Sequence, residues 1–139
     1  MDTKELFEKI MDKCTDIAFA TSVDNVPNVR ILNFVYSKNE KIMYFQSRKG
    51  STKEKEIENN KNVAFTSIRK DEMSYVRVNF ATVKKSKKTI YDLQEKFSEK
   101  MPFYKNFIDH HGKSMDLYEI HFSNVEVWPN PEKCELLVL

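Results

Sequence analysis

VRILNFVYSKNEKIMYFQSRKGSTKE, residues 29–54, holds two β-favouring runs and the start of a helix. The runs VRILNFVY (29–36) and KIMYFQS (41–47) are rich in β-branched and aromatic residues, with only the polar SKNE between them. So short a connection makes the two strands antiparallel neighbours. Directly after the second run, Ser51 and Glu54 stand at capping-box spacing, so a helix begins at Ser51. The stretch reads strand, turn, strand, capped helix, and the free amides of that helix's first turn favour an anion.

The same grammar extends in both directions. IAFATS (17–22) precedes the stretch, joined to it by VDNVP, and VAFTSI (63–68), SYVRVNFATV (74–83) and LYEIHFSNVEVW (117–128) follow. Asp2 with Glu5, then Leu6, Phe7, Ile10, Met11 and Cys14 at helical spacing, predict an amphipathic N-terminal helix. A second helical stretch runs from Lys87 to Phe97 with Ile90, Leu93 and Phe97 on one face. FYKNFIDHH adds a short helix that Gly112 ends, and PNPEKCELLVL reads as a Pro-flanked tail. The expectation is a mainly β (α+β) domain over residues 1–139: six antiparallel strands, closed into a small barrel or paired in a dimer to cover their edges, with flanking helices.

Composition removes whole function classes. The 139 residues are 40% hydrophobic and 32% charged, enough apolar material for one core. Gly50 and Gly112 are the only glycines, so neither a GxGxxG nor a Walker A loop can be written in this chain. A net charge of +2 offers no phosphate-neutralising excess for nucleic acid. Cys14 and Cys134 form no CxxC pair, which favours a reduced cytoplasmic chain, and no apolar run approaches the ~20 residues of a membrane span.

Arg30 carries the chemistry. Strand alternation sets it on one face with Leu32, Phe34 and Tyr36, where a guanidinium needs a partner. Two partners fit: a carboxylate such as Glu54, or a ligand phosphate received by the planar bidentate fork. Ser51, Thr52 and Lys53 gather two hydroxyls and a cation at the predicted helix start; the segment also suits an ordinary surface helix with solvated lysines.

The order of these motifs resembles the pyridoxamine 5′-phosphate oxidase-like flavoproteins. It runs ATS (20–22), a turn with Pro27, VRIL (29–32), a strand ending FQS (45–47), GSTK (50–53), a helix and NNKNV (59–63), over residues 5–83, with VEVW (125–128) as a looser match. The resemblance implies a split β-barrel that binds FMN, with Arg30 and Lys53 holding its phosphate and Ser47 and Thr52 adding hydroxyl hydrogen bonds. It implies that the backbone of Ile31, Leu32 and Asn33 follows the isoalloxazine edge and that Gln46 contacts the flavin. It further implies a homodimer with two interfacial flavins, in which Trp128 touches the partner subunit's flavin or serves as a core or interface aromatic. Pyridoxamine phosphate oxidases carry an Arg and His cluster after the final tryptophan; the tail here has neither, so oxidation of that vitamer is not implied.

The function expected is therefore an FMN-dependent oxidoreductase acting on a small organic substrate, with NAD(P)H as a transient donor and no side chain assigned as catalytic. The alternative is a non-catalytic flavin, deazaflavin or haem module. Asp109, His110 and His111 are read as charge partners at a helix C-terminus, since adjacent helical histidines point about a hundred degrees apart and no metal is expected there. KKSKK (84–88) reads as a solvated connector, and no nucleic-acid or membrane partner is expected. In SYVRVNFATV, alternation sets Val76, Val78 and Phe80 on one face and Tyr75, Arg77 and Asn79 on the other.

Overall fold

The structure, a computed structural model, describes residues 1–70 and 72–139. Helix α1 (Thr3–Lys13) starts where the Asp2 side chain accepts from the Glu5 amide, and it buries Phe7, Ile10 and Met11. β1 (Asp16–Val23) and β2 (Val26–Asn33) form a hairpin across Asp24 and Asn25, both at positive φ. Two left-handed residues in a row give the tight turn whose twist matches the strands, and Asp and Asn tolerate that conformation.

β3 (Val35–Ser37), β4 (Ile42–Arg48), α2 (Thr52–Asn59), β5 (Asn62–Ser67) and β6 (Tyr75–Lys85) follow. Then come α3 (Gln94–Lys100), α4 (Tyr104–His111), β7 (Met115–His121), β8 (Asn124–Asn130) and β9 (Lys133–Val138). Every pairing is antiparallel, in the order β2-β1-β5-β6-β7-β4-β3, with β8 on β6 and β9 on β8. β6 is the organising strand. One edge lies on β5, while the other is divided, Tyr75 to Arg77 pairing β8 and Thr82 to Lys85 pairing β7.

The inward side chains of β1 to β8 surround one core, with Phe7 and Met11 of α1, Phe19, Phe34, Phe45, Val76 and Ile120 fully buried in it. A second, smaller core lies on the other side of β3, β4 and β7, where Val35, Tyr44 and Leu117 meet Ile90, Phe97, Tyr104 and Ile108 of the α3–α4 segment. These strands are thus buried on both faces, which is why VY and MYF read as unbroken apolar runs.

The mainly β, antiparallel class with flanking helices stands, but the described residues form nine strands rather than six. The run 29–36 breaks at Phe34 as the chain passes from β2 to β3, and 117–128 breaks into β7 and β8. The supposed tail returns as β9, paired antiparallel with β8 and with exposure that alternates along its last residues. The helix expected over 87–97 begins only at Gln94; Thr89 and Asp92 instead close a turn, the Asp92 carboxylate accepting from the Thr89 amide at 2.8 Å. Ile90 and Leu93 keep their apolar role in the second core. Phe80 is not inward with Val76 and Val78 but 85% exposed, because the register against β5 shifts between Val63 and Phe65 and gives β6 an extra residue. No helix among the described residues is long and apolar enough to cross a membrane.

Candidate functional site

The predicted capped helix is present. Gly50 takes φ +76°, a conformation that a side chain strains, and lets the chain turn from β4 into α2. Ser51 Oγ accepts from the Glu54 amide at 3.4 Å. The Glu54 carboxylate returns one residue further than a capping box requires, accepting from the Gly50 amide at 3.0 Å. Ser47 is buried with its Oγ 3.1 Å from Ser51 Oγ, and Thr52 is exposed on the first turn.

Glu54 is therefore not the partner of Arg30, contrary to the carboxylate first named for it. Arg30 Nη2 pairs with Glu56 Oε1, while Nη1 donates to Thr21 Oγ1 at 2.9 Å and the guanidinium lies 5.9 Å from the Phe19 ring centroid. Asn28 Nδ2 holds the other Glu56 oxygen at 3.1 Å. The helical period already implied this, since residues two apart face nearly opposite sides and the cap uses Glu54. Lys53 is half-buried and makes no ion pair among the described residues. Desolvation, then the nearby Arg30 and Arg48 charges, hold its amine below the usual lysine range. The start of α2 thus combines a helix N-terminus with three cations, of which only Arg30 is ion-paired among the described residues, and that donor set fits a phosphate dianion.

Beneath the cap lies an acidic pair that the sequence did not announce. Glu54 is 6% exposed, its Oε2 has no hydrogen-bond partner among the described residues, and burial followed by Asp116 of β7 pushes its carboxyl above the usual carboxylate range. Lys85 Nζ stands 3.3 Å from Asp116.

Two further site candidates, Asn33 and Gln46, are joined through a residue that sequence reasoning missed. Tyr104 of α4 donates to Asn33 Oδ1 at 3.1 Å and accepts from Gln46 Nε2 at 3.3 Å. Only a contact across 58 positions reveals this, and no local pattern carries it. Leu32 is buried in the main core, whereas Ile31 is 66% exposed on the outer face of β2.

Trp128 lies apart from the α2 cluster, stacked on Tyr75 at 5.5 Å and 4°. Its Nε1 donates to Glu126 Oε1, and Glu126 also receives Arg77 on both oxygens and Asn79 on one. The polar face of β6 is thereby organised around a single carboxylate. His110 Nδ1 lies 2.8 Å from the Asn106 carbonyl, and among the described residues no three His, Cys, Asp or Glu side chains converge on a metal-sized site.

Comparison with known proteins follows the same lines. A family model described as Pyridoxamine 5'-phosphate oxidase-like matches residues 10–130. No curated protein matches the chain. The General Stress Protein 26 from Bacillus anthracis str. Sterne is 21% identical with a TM-score of 0.73, and the match covers 100% of both chains. An FAD-binding protein from Mesorhizobium loti is 15% identical with a TM-score of 0.63, covering 90% of this chain and 92% of that one. A heme binding protein from Mycobacterium smegmatis is 8% identical with a TM-score of 0.76, covering 99% of this chain and 58% of that one. At such identities the solved structures speak to fold, and the family rests on the model that spans most of the sequence. The chain belongs to the pyridoxamine 5′-phosphate oxidase-like family.

Proposed function

We propose that this chain binds FMN noncovalently, as a homodimer in the reducing cytosol, and passes electrons from NAD(P)H to a small organic acceptor. The observation that carries the reading is Lys53, a half-buried cation without an ion pair among the described residues, beside Arg30 and Arg48 at the N-terminus of α2. Lys53 and Arg30 hold the phosphate, Thr52 and Ser47 add hydroxyls around it, and Glu56 keeps the guanidinium aimed while the site is empty of anion. The backbone of Ile31 to Asn33 and the Gln46 amide orient the ring. Bound there, the isoalloxazine supplies the redox chemistry, and the protein's part is to bind, orient and shield it.

A second copy is seated on the outer face of β2, β1 and β5. Ile31 and Val29 project from that face beside Ala18 and Ala20, and small residues let a second backbone approach. Trp128 and Tyr75 extend the same sheet surface toward β8.

Titration of the purified protein with FMN, followed by flavin absorbance and fluorescence, tests the reading. Saturable binding that weakens at least tenfold in Arg30→Ala/Lys53→Ala supports it. Unchanged affinity in the double variant overturns the phosphate assignment, and a Soret band with no flavin uptake replaces FMN with haem.

A further inference from the structure

The Asp16 carboxylate sets the direction of a hydrogen-bond chain that crosses β1, β2, α4 and β4. A carboxylate only accepts, so Asn33 turns its Nδ2 to Asp16 Oδ1, 2.5 Å away. Asn33 Oδ1 is then left facing Tyr104, which gives it its only hydroxyl proton at 3.1 Å. With that proton committed, Tyr104 Oη can only accept, and Gln46 presents Nε2 to it at 3.3 Å. The Gln46 amide is held one way round, N–H inward and Oε1 outward.

Two observations show that this oxygen is on offer. Gln46 is only partly buried, and Oε1 takes no partner among the described residues. Nor is it among the sealed polar side-chain atoms without a partner, which among the described residues are Glu54 Oε2 and Ser98 Oγ. Tyr104 is itself fixed: 1% exposed, its ring 4.8 Å from Phe97 and 4.7 Å from Phe103. Burial pushes its hydroxyl above the ordinary tyrosine range, which keeps it a donor.

We propose that Tyr104 is a positioning residue that fixes Gln46 Oε1 as an outward acceptor, selecting a bound ring whose edge carries an N–H donor, as the dione edge of an isoalloxazine does. This rests on the FMN reading above. A haem periphery offers no such donor, so the geometry discriminates between the two ring systems.

The test has one arm without ligand and one with FMN. In the ligand-free protein, NMR of the Gln46 side-chain amide should show slow hydrogen exchange that Tyr104→Phe raises to the free-amide rate; an unchanged rate overturns the relay. In the loaded protein, Tyr104→Phe and Gln46→Leu should each raise the FMN dissociation constant about fivefold, the scale of one neutral hydrogen bond. Because Tyr104 acts through Gln46, Tyr104→Phe should add nothing in the Gln46→Leu background, and fully additive losses overturn the proposal. If the wild type takes up no FMN while the Gln46 amide stays protected, the flavin reading fails and the relay stands.

Discussion

Arg30 Nη2 lies 2.5 Å from Glu56 Oε1, tying the middle of β2 to the second turn of α2, with both side chains largely shielded from solvent. An anion arriving at the helix start competes with Glu56 for the same fork. Glu56→Gln keeps the volume and removes the competing charge. The variant should bind FMN or inorganic phosphate about threefold more tightly by calorimetry, while losing about 1 kcal/mol of stability in urea. Weaker binding would mean that Glu56 aims the guanidinium more than it competes for it.

Glu54 and Asp116 press two carboxyls together under the α2 cap. A carboxyl whose folded pKa is raised contributes stability below its unfolded pKa and loses it as pH rises through the folded one. Wild-type stability should therefore fall as pH climbs above the ordinary glutamate range. Glu54→Gln should flatten that fall and add about 1 kcal/mol at neutral pH, since the amide still accepts from Gly50 and can donate to Asp116. Urea midpoints across pH check both.

Lys100 of α3 donates to the Met11 carbonyl at 2.9 Å and the Phe34 carbonyl at 3.1 Å, its Nζ 3.7 Å from the Phe34 ring centroid. Desolvation lowers its pKa to about 8. Between that value and the ordinary lysine range the unfolded chain holds the extra proton, so stability should climb with pH across this window. Lys100→Met should abolish the climb, whatever its overall cost, and alkaline thermal melts would show it.

Gly50 has open space where a Cβ would lie, so its substitution tests backbone strain alone. Gly50→Ala should cost about 1 kcal/mol through the left-handed conformation, and Gly50→Asn distinctly less. Equal losses in thermal denaturation would place the cost elsewhere.

Ile31 reports on assembly. Ile31→Glu places a charge on the outer face of β2 without disturbing the core, so it should shift the sedimentation coefficient from dimer to monomer and leave the urea midpoint of the isolated subunit unchanged. A wild-type monomer at micromolar concentration would remove the dimer from the proposal.

Much of the fold was legible because the signals are local: Asp2 and Glu5 capping α1, Asp24 and Asn25 in the hairpin, Ser51 capping α2. The misreadings have tertiary causes. Phe80 faces outward because of a bulge set by the partner strand, and alternation within SYVRVNFATV cannot register an extra residue opposite β5. The tail hides a strand because Pro129 and Pro131 mark the turn of a hairpin, which resembles a chain end when its partner is unknown. At the site, Arg30 was visible as a charge on an apolar strand face and Lys53 as a cation at a capped helix start, whereas Tyr104 and Asp116 reach it from distant segments.

The divided edge of β6 has a mechanical consequence. Among the described strands β6 alone is bonded to three neighbours, β5, β7 and β8. The chain could be reopened with new ends in the turn at residues 38–41 and still close its pairings, but new ends inside β6 would release three neighbours together. β6 is the seam of the molecule, and its amide protons should be the last to exchange, by global opening alone.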